Sequence, residues 1–292
     1  MYNSLETIIG VWLRAPSVSA YSLAFSPDGQ TLVSGGTHRT LGVWVLNSAL
    51  QRHLLRGHSD WVYSVAISPD GQTIVSGSLD KTIKVWNSNT GQEIHTLRGH
   101  LDTVCSIAIS PDGKRIVSGS KDTTIKVWDL KTGQEIDTLS NPSDWVYAVA
   151  MSPDGQTIVS GCADGTIQVG TGKFTGHSGS VTSIAISLDG QILVTGSIDE
   201  TIKVWDLNTD RELLAIASHP GGVTSVAISP DSQRIVSGGN DKMVKVWDLK
   251  TGKNVSTFIG HLEPILSVAI SPNGQLIASG CRNDLIRIRR MP

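Results

Sequence analysis

One tetrapeptide recurs along the chain and limits what it can fold into. Four copies read Ser-Pro-Asp-Gly and three weaker copies follow in phase, beginning at Ser26, Ser68, Ser110, Ser152, Ser187, Ser229 and Ser271. The step is 42 residues throughout, except from Ser152 to Ser187, where it is 35 residues. A period of this length indicates a repeat architecture with one supersecondary unit per copy. The sequence therefore predicts seven units.

Each unit contains four short runs of residues that favour β-strands. In the second unit they are residues 63–67, 73–76, 82–86 and 93–97, all rich in β-branched side chains. Ser-Pro-Asp-Gly suits a turn between the first two runs, because proline fixes φ at its second position and glycine fits its fourth. Since no stretch longer than a turn has a helical period, the pattern predicts an all-β fold.

The first strand of each unit indicates how the units pack. In the second unit, Val65 and Ile67 lie on one face of the strand, and the small residues Ser64, Ala66 and Ser68 lie on the other. A bulky face backed by a small face favours sheets that stack face to face around an axis. A two-sheet sandwich would instead leave one face polar. We therefore expect a seven-bladed β-propeller.

The two ends of the sequence complement each other. Residues 11–14 align with the last strand of a unit, whereas the C-terminal unit supplies only three strands. We expect residues 5–14 to complete the seventh blade, so that the ring closes without an exposed edge strand. On this interpretation residues 1–292 form a single propeller domain.

Two dipeptides recur in phase with the turns. Gly-His occurs at residues 57–58, 99–100, 176–177 and 260–261, and Trp-Asp at 128–129, 205–206 and 247–248. In these features the chain resembles the WD40-repeat family over essentially its whole length. The near-identity of the repeats is similar in style to WD-repeat proteins of filamentous bacteria such as cyanobacteria. The resemblance implies a rigid platform that binds proteins.

The resemblance also implies a hydrogen-bonded set inside each blade, made of a His, a strand Ser or Thr, a turn Asp and a Trp. We call each set a brace. A buried His and Asp must satisfy each other or cost about 1–3 kcal/mol per unpaired group. Four blades have all four residues: His58, Ser76, Asp80 and Trp86; His100, Ser118, Asp122 and Trp128; His177, Thr195, Asp199 and Trp205; and His219, Ser237, Asp241 and Trp247.

The His, Ser and Asp of a brace have the composition of a hydrolytic triad, and repeated histidines could indicate a metal site. The same trio nevertheless occurs once in each of four blades, which a propeller keeps apart, whereas catalysis needs one convergent set. We therefore expect a scaffold, with no catalytic, metal-binding or cofactor-binding residues.

Charge and cysteine content limit the class of partner. The formal net charge is −2 and the isoelectric point is near 6.4, which argues against binding to nucleic acid or to an anionic membrane. Cys105, Cys162 and Cys281 lie far apart and lack metal-ligand spacing. Such cysteines indicate free thiols in a reducing compartment, so we expect a cytoplasmic protein.

Three blades depart from the brace pattern. The first has Pro16 and His38 at the His and Asp positions, and the seventh has Asn283 and Arg289 in place of Asp and Trp. The fourth has Pro142 and Gly170 in place of His and Trp, and its seven-residue shortening falls after Val169. We expect its fourth strand to be stunted or missing. The shortening could mark a partner site or be a tolerated deletion at an unconstrained edge.

In two blades, a Trp and a Tyr lie where the first strand begins, whereas the residue pairs at these positions in the other blades are smaller. The Trp and Tyr residues, which we call the aromatic rim, are Trp61, Tyr63, Trp145 and Tyr147; Leu79 and Ala163 would join the same surface. Exposed Trp and Tyr are enriched at binding hot spots. The alternative is that Trp61 and Trp145 plug the channel or pack between blades.

The leading hypothesis is a non-catalytic protein-interaction scaffold, formed by a monomeric ring. One alternative is a small-ligand-binding or hydrolytic propeller enzyme, which needs acidic or His residues converging at one channel mouth. The acidic residues near the first-strand entrances are Asp60, Asp102, Asp144 and Glu263. The other alternative is a regulatory WD40 module of a larger multidomain protein.

Overall fold

Four-stranded antiparallel sheets, seven in number, make up the described part of the chain. The computed structural model describes residues 11–14, 20–140, 142–282 and 285–292, and within these ranges it contains 28 β-strands and no helix. The predictions of an all-β class and a seven-bladed propeller are confirmed.

In blades 1 to 6 the four strands follow one another in chain order. In blades 1 to 3 they are β2 (Ser22–Phe25), β3 (Thr31–Gly35), β4 (Thr40–Val45) and β5 (Leu50–Arg56); β6 (Val62–Ile67), β7 (Thr73–Ser78), β8 (Ile83–Asn87) and β9 (Glu93–Leu97); and β10 (Val104–Ile109), β11 (Arg115–Ser120), β12 (Ile125–Asp129) and β13 (Glu135–Leu139).

Blades 4 to 6 have the same arrangement. Their strands are β14 (Val146–Met151), β15 (Ile158–Cys162), β16 (Ile167–Val169) and β17 (Gly172–Phe174); β18 (Val181–Ile186), β19 (Ile192–Ser197), β20 (Thr201–Asp206) and β21 (Arg211–Ala217); and β22 (Val223–Ile228), β23 (Arg234–Gly239), β24 (Val244–Asp248) and β25 (Asn254–Phe258).

Blade 7 is assembled from both ends of the sequence. It contains β26 (Ile265–Ile270), β27 (Leu276–Cys281), β28 (Leu285–Arg290) and β1 (Val11–Arg14). Strand β1 pairs antiparallel with β28, so the N-terminal strand completes this blade as predicted. Residues 5–10 lie outside the described residues, and the single-domain boundaries 1–292 stay a prediction.

The first strands of successive blades contact one another around the axis, and β2 closes the ring against β26. Six of the seven junctions carry the same hydrogen bond, in which a first-strand Ser Oγ accepts from a backbone N–H of the next blade. At the closing junction Ser267 accepts from Leu23 at 3.0 Å. The acceptors at the other five are Ser22, Ser64, Ser106, Ser183 and Ser225. The junction between blades 4 and 5 has Ala148 at this position.

The blades stack with a bulky face against a small face. Val65 of blade 2 packs in one buried cluster with Val33 and Leu41 of blade 1, whereas Ala66 borders the cluster of blade 3. Neighbouring blades come very close together at a glycine of the second strand. A Cβ atom on Gly77 would lie 2.7 Å from Cγ1 of Val104 in the next blade. The predicted face-to-face packing is therefore confirmed.

The recurring turns are fixed by local hydrogen bonds. In blade 2 the backbone N–H of Gly71 donates to the Ser68 carbonyl at 2.8 Å, and Thr73 N–H donates to Ser68 Oγ at 2.9 Å. Gly71 has a φ of 72°, a left-handed conformation that favours glycine. Hydrogen bonds from Ser68 and from the backbone of Gln72 lower the pKa of Asp70.

Blade 4 is shortened as predicted. Its third and fourth strands have three residues each, so the fourth strand is stunted rather than missing. Phe174 from this short strand is buried and stacks on Trp205 of blade 5, with ring centroids 5.4 Å apart. In the described ranges no helix is long and apolar enough to cross a membrane.

Candidate functional site

The structure brings together the four residues of each complete brace. In blade 2, His58 Nδ1 lies 2.8 Å from the Asp80 carboxylate, and His58 Nε2 lies 2.8 Å from Ser76 Oγ. The indole N–H of Trp86 donates to the same Ser76 Oγ at 2.9 Å. Because a carboxylate only accepts, Nδ1 carries the proton, and the Ser76 hydroxyl donates to Nε2. Every polar atom of this chain of hydrogen bonds is then satisfied.

The other three complete braces repeat this geometry. Their His–Asp distances are 2.8 Å, and their His–hydroxyl distances are 2.7 Å. The Trp–hydroxyl distances are 2.9, 3.0 and 2.8 Å in blades 3, 5 and 6.

Burial and hydrogen bonding set the ionisation of the brace residues. Burial opposes ionisation of Asp80, but the hydrogen bonds from His58 and Thr82 outweigh it and hold the pKa of the carboxyl well below its ordinary value. Asp199 behaves in the same way, with a pKa of about 2. Burial lowers the pKa of His177 and of His219 despite their carboxylate partners.

A brace has the hydrogen-bond order of a hydrolytic triad, from a serine hydroxyl to a histidine to an aspartate. Ser76 is nevertheless 0% exposed, and the Trp86 indole covers its oxygen. A substrate carbonyl therefore has no path to this hydroxyl. Among the described residues, no three or more His, Cys, Asp or Glu side chains lie close enough together to hold a metal ion.

The repeats also match a known family model. The WD40 model, described as WD domain, G-beta repeat, matches seven segments, at residues 10–44, 50–87, 91–129, 133–169, 170–206, 211–248 and 252–289. The chain belongs to the WD40-repeat family. No curated protein matches the sequence. The similarity of this WD40 chain to bacterial WD-repeat proteins therefore stays a prediction.

Blade 7 of the WD40 ring is held by a different set of residues. Nε2 of His261 lies 2.9 Å from Ser279 Oγ, and Nδ1 lies 3.1 Å from the sulfur of Cys281. Arg289 stands in place of the brace Trp and donates to Ser279 Oγ at 3.3 Å. Burial and the charges of Arg287 and Arg289 lower the pKa of His261 to about 4. Asn283 lies outside the described residues.

Blade 4 keeps the brace serine without the residues that bond to it elsewhere. Ser160 Oγ is fully buried and has no hydrogen-bond partner among the described residues. Asp164, which corresponds to Asp80, accepts instead from Ser143 and Thr166. In blade 1, Trp44 still donates to Ser34 at 3.0 Å, whereas His38 is exposed and Pro16 lies outside the described residues.

The aromatic rim forms two separate clusters. In the first, Tyr63 and Trp61 of blade 2 meet Tyr21 of blade 1, with Tyr21 centroids 5.2 Å from Tyr63 and 5.9 Å from Trp61. The Trp61 and Tyr63 centroids are 6.5 Å apart. Trp61 is 37% exposed and both tyrosines are half-buried. We call Tyr21, Trp61 and Tyr63 the first aromatic cluster.

The second aromatic cluster consists of Trp145, Tyr147 and Lys121. The two rings are 6.3 Å apart with an edge-on geometry, and Trp145 is 44% exposed. The Lys121 Nζ atom lies 5.1 Å from the Trp145 centroid and 5.9 Å from the Tyr147 centroid. An ammonium at these distances is attracted by the negative faces of the rings.

Two further residues, Leu79 and Ala163, are hydrogen-bonded to the rim tryptophans. Leu79 and Ala163 are half-buried, and their backbone N–H groups donate to the carbonyls of Trp61 and Trp145, both at 2.9 Å. Cys105 lies between the two clusters, where burial raises the pKa of its thiol to about 12. This thiol is therefore protonated and a poor nucleophile at neutral pH.

Two residues of the aromatic clusters were absent from the predicted rim. They are Tyr21, in contact with Trp61 and Tyr63, and Lys121, over the rings of Trp145 and Tyr147. The repeat register could have indicated both, because Tyr21 occupies the position of Tyr63 and Lys121 that of Leu79 and Ala163.

Proposed function

We propose that the chain is a non-catalytic protein-interaction scaffold whose partner binds across the aromatic rim. The supporting observation is the contrast between two groups of tryptophans. Trp44, Trp86, Trp128, Trp205 and Trp247 are at most 6% exposed, whereas Trp61 and Trp145 are 37% and 44% exposed. Because both exposed tryptophans precede the first strand of a blade at the same register, they lie at the same end of the ring.

Exposed aromatic rings at one end of a rigid ring suit recognition of another protein. A Trp or Tyr buries a large area on binding and loses little conformational entropy. The braces and the interlocked blades hold these rings in place before binding, which lowers the entropic cost of association. WD40 propellers commonly serve as interaction platforms, and the rim would give this chain its specific contact surface.

We propose a cytoplasmic protein that acts as a monomeric ring and binds neither nucleic acid nor membrane, in keeping with its charge of −2 and three separated thiols. The small-ligand-binding or hydrolytic alternative would need acidic or His residues converging at one channel mouth, whereas the brace histidines are buried, one in each of four blades. The regulatory-module alternative shares the same binding surface.

The test compares how much of a host protein is captured by the wild-type chain and by a double variant of the rim. We expect Trp61→Ala with Trp145→Ala to abolish specific capture by the purified chain, as read by mass spectrometry, while the melting temperature changes little. The matched control is Ile94→Ala with Ile136→Ala, which removes two side chains of similar exposure, 48% and 56%, from the outer strands β9 and β13. Capture that survives the rim variant, or is lost equally in the control, would discard this surface.

A further inference from the structure

The two aromatic clusters occupy matched positions of the repeat, which permits a direct comparison. Trp61 and Tyr63 stand in blade 2 where Trp145 and Tyr147 stand in blade 4. At the second cluster, the preceding blade contributes Lys121, and its ammonium lies 5.1 Å from the Trp145 ring. The chain itself therefore shows what a pair of rings at this position binds.

At the first cluster, no cation from the described part of the chain faces the rings. The residue in the register of Lys121 is Thr37, three residues after Ser34 as Lys121 is three residues after Ser118. Threonine is too short to extend over the rings and carries no charge. Among the described lysines and arginines, none lies over the rings of Tyr21, Trp61 or Tyr63.

A third ring and a carboxylate complete the surroundings. Tyr21 stands where blade 3 has Cys105, and it adds an aromatic ring 5.2 Å from Tyr63. Asp60 lies beside the cluster, where its Oδ1 accepts from Trp61 N–H at 2.8 Å. Burial raises the pKa of Tyr63, and the negative charge of Asp60 acts in the same direction. Both the ring faces and this carboxylate favour a positive charge.

We propose that Tyr21, Trp61 and Tyr63 bind a cationic side chain of the partner, in the place that the Lys121 ammonium takes at the second cluster. The ligand class is an alkylammonium or guanidinium group presented by a protein. This inference rests on the proposed function and adds the chemistry of the residue that the partner must place there.

The experiment measures cation binding without a partner protein. The chain is labelled with 5-fluorotryptophan, and the ¹⁹F resonances of Trp61 and Trp145 are assigned with Trp61→Phe and Trp145→Phe. The probes are N-acetyl-arginine amide and N-acetyl-lysine amide, and N-acetyl-citrulline amide is the uncharged control of the same shape as the arginine probe. We expect saturable shifts of the Trp61 resonance with the two charged probes, and binding of the arginine probe at least about threefold tighter than that of citrulline.

Two substitutions exchange the clusters. Thr37→Lys should supply the missing ammonium and abolish the Trp61 response, whereas Lys121→Thr should create a new saturable response at Trp145. Equal binding of citrulline, a Trp61 response that survives in Thr37→Lys, or a silent Trp145 in Lys121→Thr would each overturn the inference.

The probe-binding experiment and the capture experiment can fail independently of each other. If partner capture needs the rim but neither charged probe binds, the scaffold proposal stands and the cationic ligand is wrong. If the probes bind as expected but capture does not need the rim, the cation site stands and the proposed partner surface is wrong.

Discussion

The indole N–H of Trp86 donates a 2.9 Å hydrogen bond to Ser76 Oγ, which also bonds to Nε2 of His58 at 2.8 Å. The contact joins the third strand of blade 2 to its second strand, and through His58 to the loop that enters the blade. Trp86 is 1% exposed, so the indole both fills the blade interior and covers a polar group.

Replacing Trp86 with Phe should destabilise the chain by about 2–3 kcal/mol, because one buried hydrogen bond is lost and the smaller ring leaves a cavity. The free energy of unfolding, measured by chemical denaturation, checks this. The control is Trp61→Phe, a half-exposed position, where we expect a change below about 0.5 kcal/mol. Equal losses in the two variants would show that the brace contributes no special stability.

Replacement by alanine should affect stability differently at Ser160 and at Ser118. Ser160→Ala removes a buried hydroxyl without a partner among the described residues, so we expect stability to stay equal or rise by up to about 1 kcal/mol. Ser118→Ala leaves His100 and Trp128 without their shared partner and should cost about 2–3 kcal/mol. Denaturation curves of the two variants decide the point, and a clear loss in Ser160→Ala would contradict the interpretation of blade 4.

Ala148→Ser should stabilise the junction between blades 4 and 5. It restores the hydroxyl that accepts from the next blade at the other six junctions, as Ser106 does from Val149 at 3.0 Å. We expect a gain of about 0.5–1.5 kcal/mol and slower amide exchange in β14 and β18. The reverse substitution, Ser106→Ala, is the control and should cost a similar amount. A destabilised Ala148→Ser would mean that this junction has no room for the hydroxyl.

Acid should destabilise the fold in two stages. His177, His219 and His261 have folded-state pKa values below the ordinary 6.5, so below that pH the unfolded chain binds more protons than the folded chain. Stability therefore falls as the pH decreases from about 6.5 towards 4, by up to about 1.4 kcal/mol per pH unit for each such histidine. The lowered pKa values of Asp80, Asp122 and Asp199 add a further loss below about pH 4.

The measurement is the denaturation midpoint at pH 7, 5.5 and 4.5. Stability that is constant or rises over this range would contradict the assignment of neutral, buried histidines.

The repeat made most of the fold predictable. The Ser-Pro-Asp-Gly turn set the period, and the four β-prone runs and the alternation around Val65 gave the strand order and the packing. The resemblance to WD40 repeats implied the brace, and the structure places His58, Ser76, Asp80 and Trp86 within 3 Å of their partners. Such features recur in several blades, so a missing residue is visible against the template.

What the sequence could not predict are contacts that occur once. Cys281 contacts Nδ1 of His261, the atom that bonds to an Asp in the four complete braces, and Ser143 bonds to Asp164 in the absence of a His. Lys121 reaches the rings of Trp145 and Tyr147 through a long flexible side chain. Each of these three contacts depends on a side-chain rotamer or on the spacing of neighbouring blades. None of them has a second copy in the chain from which the contact could be inferred.

Amide hydrogen exchange of the chain, with and without its captured partner, locates the surface that the partner covers. Peptides covering residues 57–67 and 141–151 carry the aromatic rim, and peptides covering the Ser-Pro-Asp-Gly turns at 68–73 and 110–115 lie at the opposite end of the first strands. We predict that the partner slows exchange in the rim peptides and leaves the turn peptides unchanged. Protection confined to the turn peptides or to the outer strands would contradict the assignment of the rim as the binding surface.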